Sequence, residues 1–144
     1  MSTIELPEPL SPEVIEGSSD MPTVLTVDDE ASVLSALRRV FRAQGIRTLQ
    51  ATSAAAGMAL LQTHRVDLVI SDMRMPEMDG ARFLELVKHH DERIVRVLLT
   101  GYADMASTIA AINQGAIHRY IAKPWDDHEL VLVVREALAR RRLA

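Results

Sequence analysis

The sequence predicts an α/β domain in which five parallel strands form a sheet with helices packed on both faces. Short runs of β-branched and aliphatic residues alternate five times with longer stretches whose apolar residues recur at helical spacing. Each pair of successive runs is separated by enough chain for the helical crossover that parallel strands need. Only 3% of the residues are aromatic, so the core of this sheet must be mainly aliphatic.

Five segments are predicted as strands because each is a short apolar run bounded by charged or turn-forming residues. They are residues 23–27, 46–51, 66–71, 94–100 and 118–122. The third run, VDLVIS, is the most uniformly apolar, which is typical of a central strand covered on both faces.

Helices are predicted between and after these strands. They cover residues 31–44, 53–64, a stretch that starts at Asp79, 104–114, and a last stretch from 126 or 127 to about 142. Ser53 and Asp79 are suitable N-caps, and Gly45 and Gly115 suit the position just past a helix end. Spacing predicts that the second helix buries Ala56, Ala59 and Leu60 and that the fourth buries Met105, Ile109 and Ile112.

Composition limits the classes of function. The chain has 144 residues, 48% hydrophobic, with a net charge of −4 and no cysteine. There is no run of about 18 apolar residues for a membrane span, no secretory signal pattern and no basic, aromatic-rich footprint for nucleic acids. Arg140–Arg142 suit the end of the last helix, where cations favour the helix dipole. We expect a cytoplasmic protein that contacts neither membranes nor nucleic acids directly.

Residues 1–20 differ from the rest of the chain. They contain three prolines and five acidic residues but no basic residue. Such a segment gains too little from burial to offset the entropy lost on ordering. We therefore expect a mostly disordered leader, followed by one domain at residues 21–144.

Polar side chains stand where the predicted strands end. The acidic triplet Asp28, Asp29 and Glu30 follows the first strand, Asp72 follows the third, Thr100 ends the fourth and Lys123 follows the fifth. Because the carboxyl ends of parallel strands share one edge of a sheet, which is where open α/β sheets bind ligands, these groups should converge. Clustered carboxylates suit Mg²⁺, and a metal with a lysine suits phosphoryl transfer, with Asp72 as the nucleophile.

Each of these residues also has a simpler interpretation. The acidic triplet could cap the first helix, and Asp72 could be a turn residue. Thr100 could be an ordinary strand residue, and Lys123 a solvated loop lysine. Their joint placement at four strand ends favours the functional interpretation.

Four segments together resemble the receiver domain of two-component response regulators. They are TVDDE, SDMRMPEMDG, LLTGYAD and YIAKPW, in this order, and the resemblance covers about residues 22–141. It implies a doubly wound, flavodoxin-like (βα)5 fold with strand order 2-1-3-4-5. It also implies a phosphoprotein that has no independent substrate and receives its phosphoryl group from a sensor histidine kinase or phosphotransfer protein.

The resemblance assigns roles to individual residues. Asp72 matches the phosphoacceptor, and Mg²⁺ would be held by Asp28, Asp29, Asp72 and the backbone carbonyl of Arg74, with Asp29 the direct ligand and Asp28 acting through water. Lys123 matches the phosphate-contacting lysine, and the Lys123-Pro124 peptide is one that is commonly cis.

Thr100 and Tyr120 match the switch residues of the family. Phosphorylation is then expected to repack the surface formed by residues 104–114, 118–122 and 126–142, which would dimerise or meet an output domain or effector protein. Tyr120 could instead be an exposed strand aromatic with no role in switching. Arg74 and Tyr102, each two residues past a site residue, are expected to slow loss of the phosphate by limiting water access.

Two other classes of function compete with this interpretation. A Mg²⁺-dependent phosphatase with an aspartyl-phosphate intermediate usually places two aspartates two residues apart on one strand, whereas Asp28 and Asp29 are adjacent and Asp72 is on another strand. A nucleotide-binding flavodoxin-like domain would need a glycine-rich loop after the first strand, and that loop is acidic. The segment KPWDDHEL also resembles receivers joined to larger regulators, such as enhancer-binding activators and HD-GYP phosphodiesterases.

Overall fold

The computed structural model describes residues 21–143, without the side chains of Tyr102 and residues 140–143. The five strands are β1 (Thr23–Val27), β2 (Arg47–Ala51), β3 (Leu68–Asp72), β4 (Val95–Thr100) and β5 (Arg119–Ala122). The five helices are α1 (Ala31–Ala43), α2 (Ala54–Thr63), α3 (Gly80–His90), α4 (Met105–Asn113) and α5 (Asp127–Leu143). The predicted leader, residues 1–20, lies outside the described residues.

All neighbouring strands are parallel, in the order β2-β1-β3-β4-β5. This confirms the predicted fold class and strand order. β1 has the predicted limits, and β2, β4 and β5 each begin one residue later than predicted. The largest shift is in β3, which begins at Leu68 and includes Asp72 as its last residue.

Alternate residues of each strand supply two separate cores, one on each face of the sheet. On one face, Leu25, Val69 and Leu98 pack with buried residues of α2, α3 and α4. On the other face, residues such as Val24, Ile70 and Leu99 pack with buried residues of α1 and α5, among them Phe41 and Leu130. Helices therefore cover both faces of the sheet, as expected for a doubly wound fold in which all connections between parallel strands have the same hand.

The predicted helix caps are present. The side chain of Ser53 accepts a hydrogen bond from the backbone N–H of Ala56, and that of Asp79 accepts one from the N–H of Arg82. Gly45 and Gly115 have φ angles of 72° and 78°, a left-handed conformation that glycine adopts readily after a helix.

The predicted inner faces of α2 and α4 were wrong for Ala56, Ala59, Ile109 and Ile112. In α2 the buried residues are Ala54, Gly57 and Leu61, whereas Ala56 and Ala59 are exposed and Leu60 is half-buried. Residues 54–61 of α2 are apolar on every side, so spacing could not choose a face. Gly57 favours the observed face, because a Cβ at this position would lie 2.9 Å from the ring of Phe83, so a residue without a side chain is needed where α2 contacts that ring.

In α4 the buried residues are Thr108 and Ala111, and Met105 is half-buried. Ile109 and Ile112, predicted to be buried, are 50% and 36% exposed. A 3₁₀ turn at Tyr102–Asp104 precedes α4 and was not predicted. Small residues therefore face the sheet, and the two isoleucines remain at the surface.

Within residues 21–143, no helix is long and apolar enough to cross a membrane.

Candidate functional site

Three aspartates meet at the carboxyl edge of the sheet. β1 and β3 are neighbours, and Val27 is in register with Ser71, so Asp28 and Asp72 come next to each other at the ends of their strands. One carboxylate oxygen from each of Asp28, Asp29 and Asp72 lies within 4.8 Å of the others. Asp28 and Asp72 are buried, at 1% and 7% exposure, and Asp29 is exposed.

The amino group of Lys123 bridges the two buried carboxylates. Its Nζ lies 2.7 Å from Asp72 Oδ1 and 3.4 Å from Asp28 Oδ2. The lysine follows β5, two strands away from Asp72, and its backbone N–H donates to the carbonyl of Thr100. The Lys123-Pro124 peptide is cis, as the resemblance implied. Lys123 is therefore a partner of the site rather than a solvated loop lysine.

Negative charges outnumber positive charges in this cluster. Burial raises the pKa of Asp28 and the charge of Asp72 adds to the effect, although the N–H of Glu30 and the ammonium of Lys123 act against it. Burial alone would lower the pKa of Lys123, but its hydrogen bond to Asp72 and the two negative charges outweigh burial and raise it. One ammonium thus contacts two carboxylates of a cluster of three.

The donor set suits a hard divalent cation. It consists of carboxylate oxygens, two of them buried and one on the solvent side, so a bound ion could keep several waters. The helix-capping alternative explains only part of the triplet. Asp28 Oδ1 accepts the N–H of Glu30 at 2.8 Å, but the Glu30 side chain makes no cap hydrogen bond to α1.

Gly80 is a structural requirement of the site that the sequence did not reveal. A Cβ at this position would overlap the backbone carbonyl oxygen of Asp72. The N–H of Gly80 donates to the carbonyl of Met73 at 2.7 Å. The start of α3 is therefore held directly against the backbone of the central aspartate, and glycine is required at this position because it has no side chain.

Thr100 ends β4 beside this cluster and is 1% exposed. Its Oγ1 lies 3.3 Å from the Gly101 carbonyl oxygen and 3.2 Å from Oγ1 of Thr108 in α4, both within hydrogen-bond distance. Thr108 was not singled out in the sequence, where its neighbour Ile109 was expected to face inward. Tyr120 is 40% exposed on β5.

Arg74, in the loop after β3, reaches across to the beginning of α4. Its Nε lies 3.1 Å and 2.9 Å from the two carboxylate oxygens of Asp104, and its side chain is 73% exposed. The hydrogen bond and the charge of Asp104 raise the pKa of Arg74. The ion pair connects the loop after Asp72 to the segment after Thr100.

Comparison with known proteins places this chain in a family. Residues 24–135 match the response regulator receiver domain. Among curated proteins, the hydrogenase transcriptional regulatory protein HoxA of Cupriavidus necator is 38% identical over 88% of this chain and 26% of its own length. The regulatory protein AtoC of Escherichia coli is 37% identical over 80% of this chain and 25% of its own length. The chain thus spans about a quarter of these relatives.

Solved structures agree with this match. The signal receiver domain of an HD domain-containing protein from Pseudomonas fluorescens Pf-5 is 37% identical, with a TM-score of 0.80, over 85% of this chain and 90% of that chain. An uncharacterized protein from Neptuniibacter caesariensis is 43% identical, with a TM-score of 0.82 and the same coverages. The family is a signalling domain rather than a substrate-converting enzyme. The chain belongs to the receiver domain family of two-component response regulators.

Proposed function

We propose that the chain is a phosphorylation-controlled switch whose phosphoacceptor is Asp72. The observation that carries this proposal is the contact of Lys123 Nζ with Asp72 Oδ1 at 2.7 Å, inside a cluster of three carboxylates. Because the ammonium of Lys123 contacts one oxygen of the buried Asp72 carboxylate, the second oxygen is available to react. The neighbouring carboxylates of Asp28 and Asp29 could bind a metal ion together with Asp72.

In the proposed transfer, an oxygen of Asp72 attacks the phosphorus of a phosphohistidine on a sensor kinase or phosphotransfer protein. The phosphorus–nitrogen bond breaks, its electron pair passes to the imidazole, and an acyl phosphate forms on Asp72. Lys123, already beside Asp72, holds a positive charge against the phosphoryl oxygens. The domain would catalyse this transfer and the slow hydrolysis of its own acyl phosphate, without an independent substrate.

Mg²⁺ is the proposed cofactor. Asp28, Asp29, Asp72 and the backbone carbonyl of Arg74 would hold it, with Asp29 the direct ligand and Asp28 acting through water. Bound there, the ion would supply further positive charge against the phosphoryl group during transfer. Support comes from the all-oxygen donor set and from the exposure of Asp29, which leaves one side of the cluster open to water.

Thr100 and Tyr120 are the proposed switch residues. A phosphoryl group on Asp72 would draw the Thr100 hydroxyl towards it, and Tyr120 would turn inward from its exposed position on β5. Large apolar side chains are exposed on α4, β5 and α5, namely Ile109, Ile112, Tyr120 and Leu132. This α4-β5-α5 surface is the proposed contact for an output domain, an effector protein or a second copy of the chain.

Arg74 and Tyr102 are proposed to lengthen the lifetime of the acyl phosphate. The Arg74 side chain pairs with Asp104, and Arg74 follows Asp72 by two residues, which supports a role in limiting the access of water to Asp72. Residues 21–144 would form the receiver domain, in the cytoplasm, behind the leader at residues 1–20.

The direct test is phosphorylation by acetyl phosphate with Mg²⁺, followed by mass and by Trp125 fluorescence. Trp125 is a suitable reporter because it packs on the core beneath α1 and α5 and follows Lys123 by two residues. Wild type should gain one phosphoryl group and Asp72→Asn none. Asp91→Asn, after α3 and away from the cluster, is the matched control and should behave as wild type.

Equal incorporation in wild type and Asp72→Asn would refute the assignment of Asp72. Repeated turnover of a phosphomonoester would instead favour the phosphatase alternative. A dimer that forms only on modification, measured by light scattering, would support the α4-β5-α5 surface as a self-association site.

A further inference from the structure

Thr108 is a buried hydroxyl residue that the proposed phosphoryl chemistry does not use. It lies in α4, one turn into the helix, and is 0% exposed. Its Oγ1 is 2.9 Å from the backbone carbonyl oxygen of Asp104 and 3.2 Å from Oγ1 of Thr100. Burying a hydroxyl is unfavourable unless it is hydrogen-bonded, so these two contacts account for its position.

The two contacts compete for one proton. A threonine hydroxyl donates a single hydrogen and can accept through its oxygen. The shorter contact favours donation to Asp104, and the Thr108 oxygen is then able to accept the proton of Thr100. The other acceptor available to Thr100 is the Gly101 carbonyl, at 3.3 Å. Thr108 is thus a hydrogen-bond partner that α4 provides for the Thr100 hydroxyl.

We infer that Thr108 is a positioning residue that holds the Thr100 hydroxyl in the resting state and competes for it with a phosphoryl group on Asp72. This inference rests on the proposed function of Asp72 and Thr100. In the resting state the two threonines share a hydrogen bond. In the phosphorylated state Thr100 donates to the phosphoryl group, and Thr108 keeps its bond to Asp104.

The thermodynamic consequence has a definite sign. Replacing Thr108 by valine keeps the shape but removes the hydroxyl. Both states then lose the bond to Asp104, and only the resting state loses the bond to Thr100. The equilibrium should therefore move towards the phosphorylated form. A side chain that merely supports the fold would weaken both states alike and leave the ratio unchanged.

The test is the affinity for beryllofluoride, a phosphoryl analogue, in the presence of Mg²⁺ and followed by Trp125 fluorescence. Thr108→Val should bind about fivefold more tightly than wild type, the ratio expected for one hydrogen bond lost from the resting state alone. Thr108→Ser retains the hydroxyl and should bind within about twofold of wild type. Ser107→Ala removes an exposed hydroxyl from the same helix and should change nothing.

Affinity of Thr108→Val equal to or weaker than that of wild type would overturn the inference and leave the proposed function intact. If wild type does not bind beryllofluoride, both this inference and the proposed function are refuted. A second readout does not depend on the variant folding. The methyl chemical shift and χ1 of Thr100 in wild type should change on addition of beryllofluoride and Mg²⁺, and an unchanged rotamer would also overturn the inference.

Discussion

Replacing Arg96 by methionine is expected to lower the free energy of unfolding by about 3 kcal/mol. Arg96 lies near the beginning of β4, at the opposite end of the strand from Thr100, and is 3% exposed. Burial lowers the pKa of its guanidinium. A charged side chain is this deeply buried only when its donors are satisfied.

The described partners of the guanidinium are backbone carbonyl oxygens from two connections of the chain. Nε donates to Ala116 at 2.8 Å and Nη2 to Gly115 at 3.3 Å, both between α4 and β5. Nη1 donates to Glu92 at 3.1 Å and to Ile94 at 2.9 Å, both between α3 and β4. Methionine has a similar length but no donor, so all four carbonyls lose this partner.

Each lost bond is worth about 1 kcal/mol net, or about 4 kcal/mol for the four. Removing a buried charge recovers part of this, which leaves about 3 kcal/mol. Urea unfolding with linear extrapolation measures the difference. Arg93→Met is the matched control, because Arg93 is 80% exposed and pairs with Asp91, and its loss should cost less than about 1 kcal/mol. A cost for Arg96→Met no larger than that of Arg93→Met would refute the reasoning.

Three further predictions concern the site and the surface. In the presence of a chelator, the free energy of unfolding should fall as pH rises from about 4 through the folded-state pKa of Asp28, because a raised pKa means that the folded protein holds this proton more tightly than the unfolded chain. Stability measured as a function of pH should show a smaller fall for Asp28→Asn. An identical fall would contradict the prediction. Gly80→Ala should cost about 2 kcal/mol or more, since its Cβ would overlap the Asp72 carbonyl, whereas Gly101→Ala has open space and should cost less than about 1 kcal/mol by thermal unfolding. Replacing Ile109 and Ile112 by serine should change stability by less than about 1 kcal/mol, because both are exposed, yet should weaken any phosphorylation-dependent dimer measured by sedimentation; a loss of several kcal/mol would mean that they belong to the core.

The convergence of the site residues could be predicted from sequence because it follows from topology. In a parallel sheet every strand end lies at the same edge, so Asp28, Asp72 and Lys123 had to approach one another once the strands were assigned. The positions of Ser53 and Asp79 as N-caps were predictable for a similarly local reason, because one side chain and one nearby N–H suffice.

The features that escaped prediction depend on contacts between distant parts of the chain. The face of α2 could not be chosen because residues 54–61 are apolar on every side. The face of α4 was predicted from its largest apolar residues, whereas Thr108 and Ala111 are the residues that it buries. Thr108 and Arg96 were missed because polar and charged residues are expected at the surface. For Arg96 a signal was available, since it interrupts the apolar run VRVLL of a strand that is buried on both faces.

The way α4 is attached has a consequence for local unfolding. Its buried residues are Thr108 and Ala111, both small, while Ile109 and Ile112 remain exposed. In contrast, α5 buries Leu130 and Val134 completely. Amide hydrogens of α4 should therefore exchange with solvent faster than those of α5, because opening α4 exposes little additional apolar surface. A partner that covered the two isoleucines would slow that exchange, so α4 is the helix whose protection from exchange should report most directly on binding.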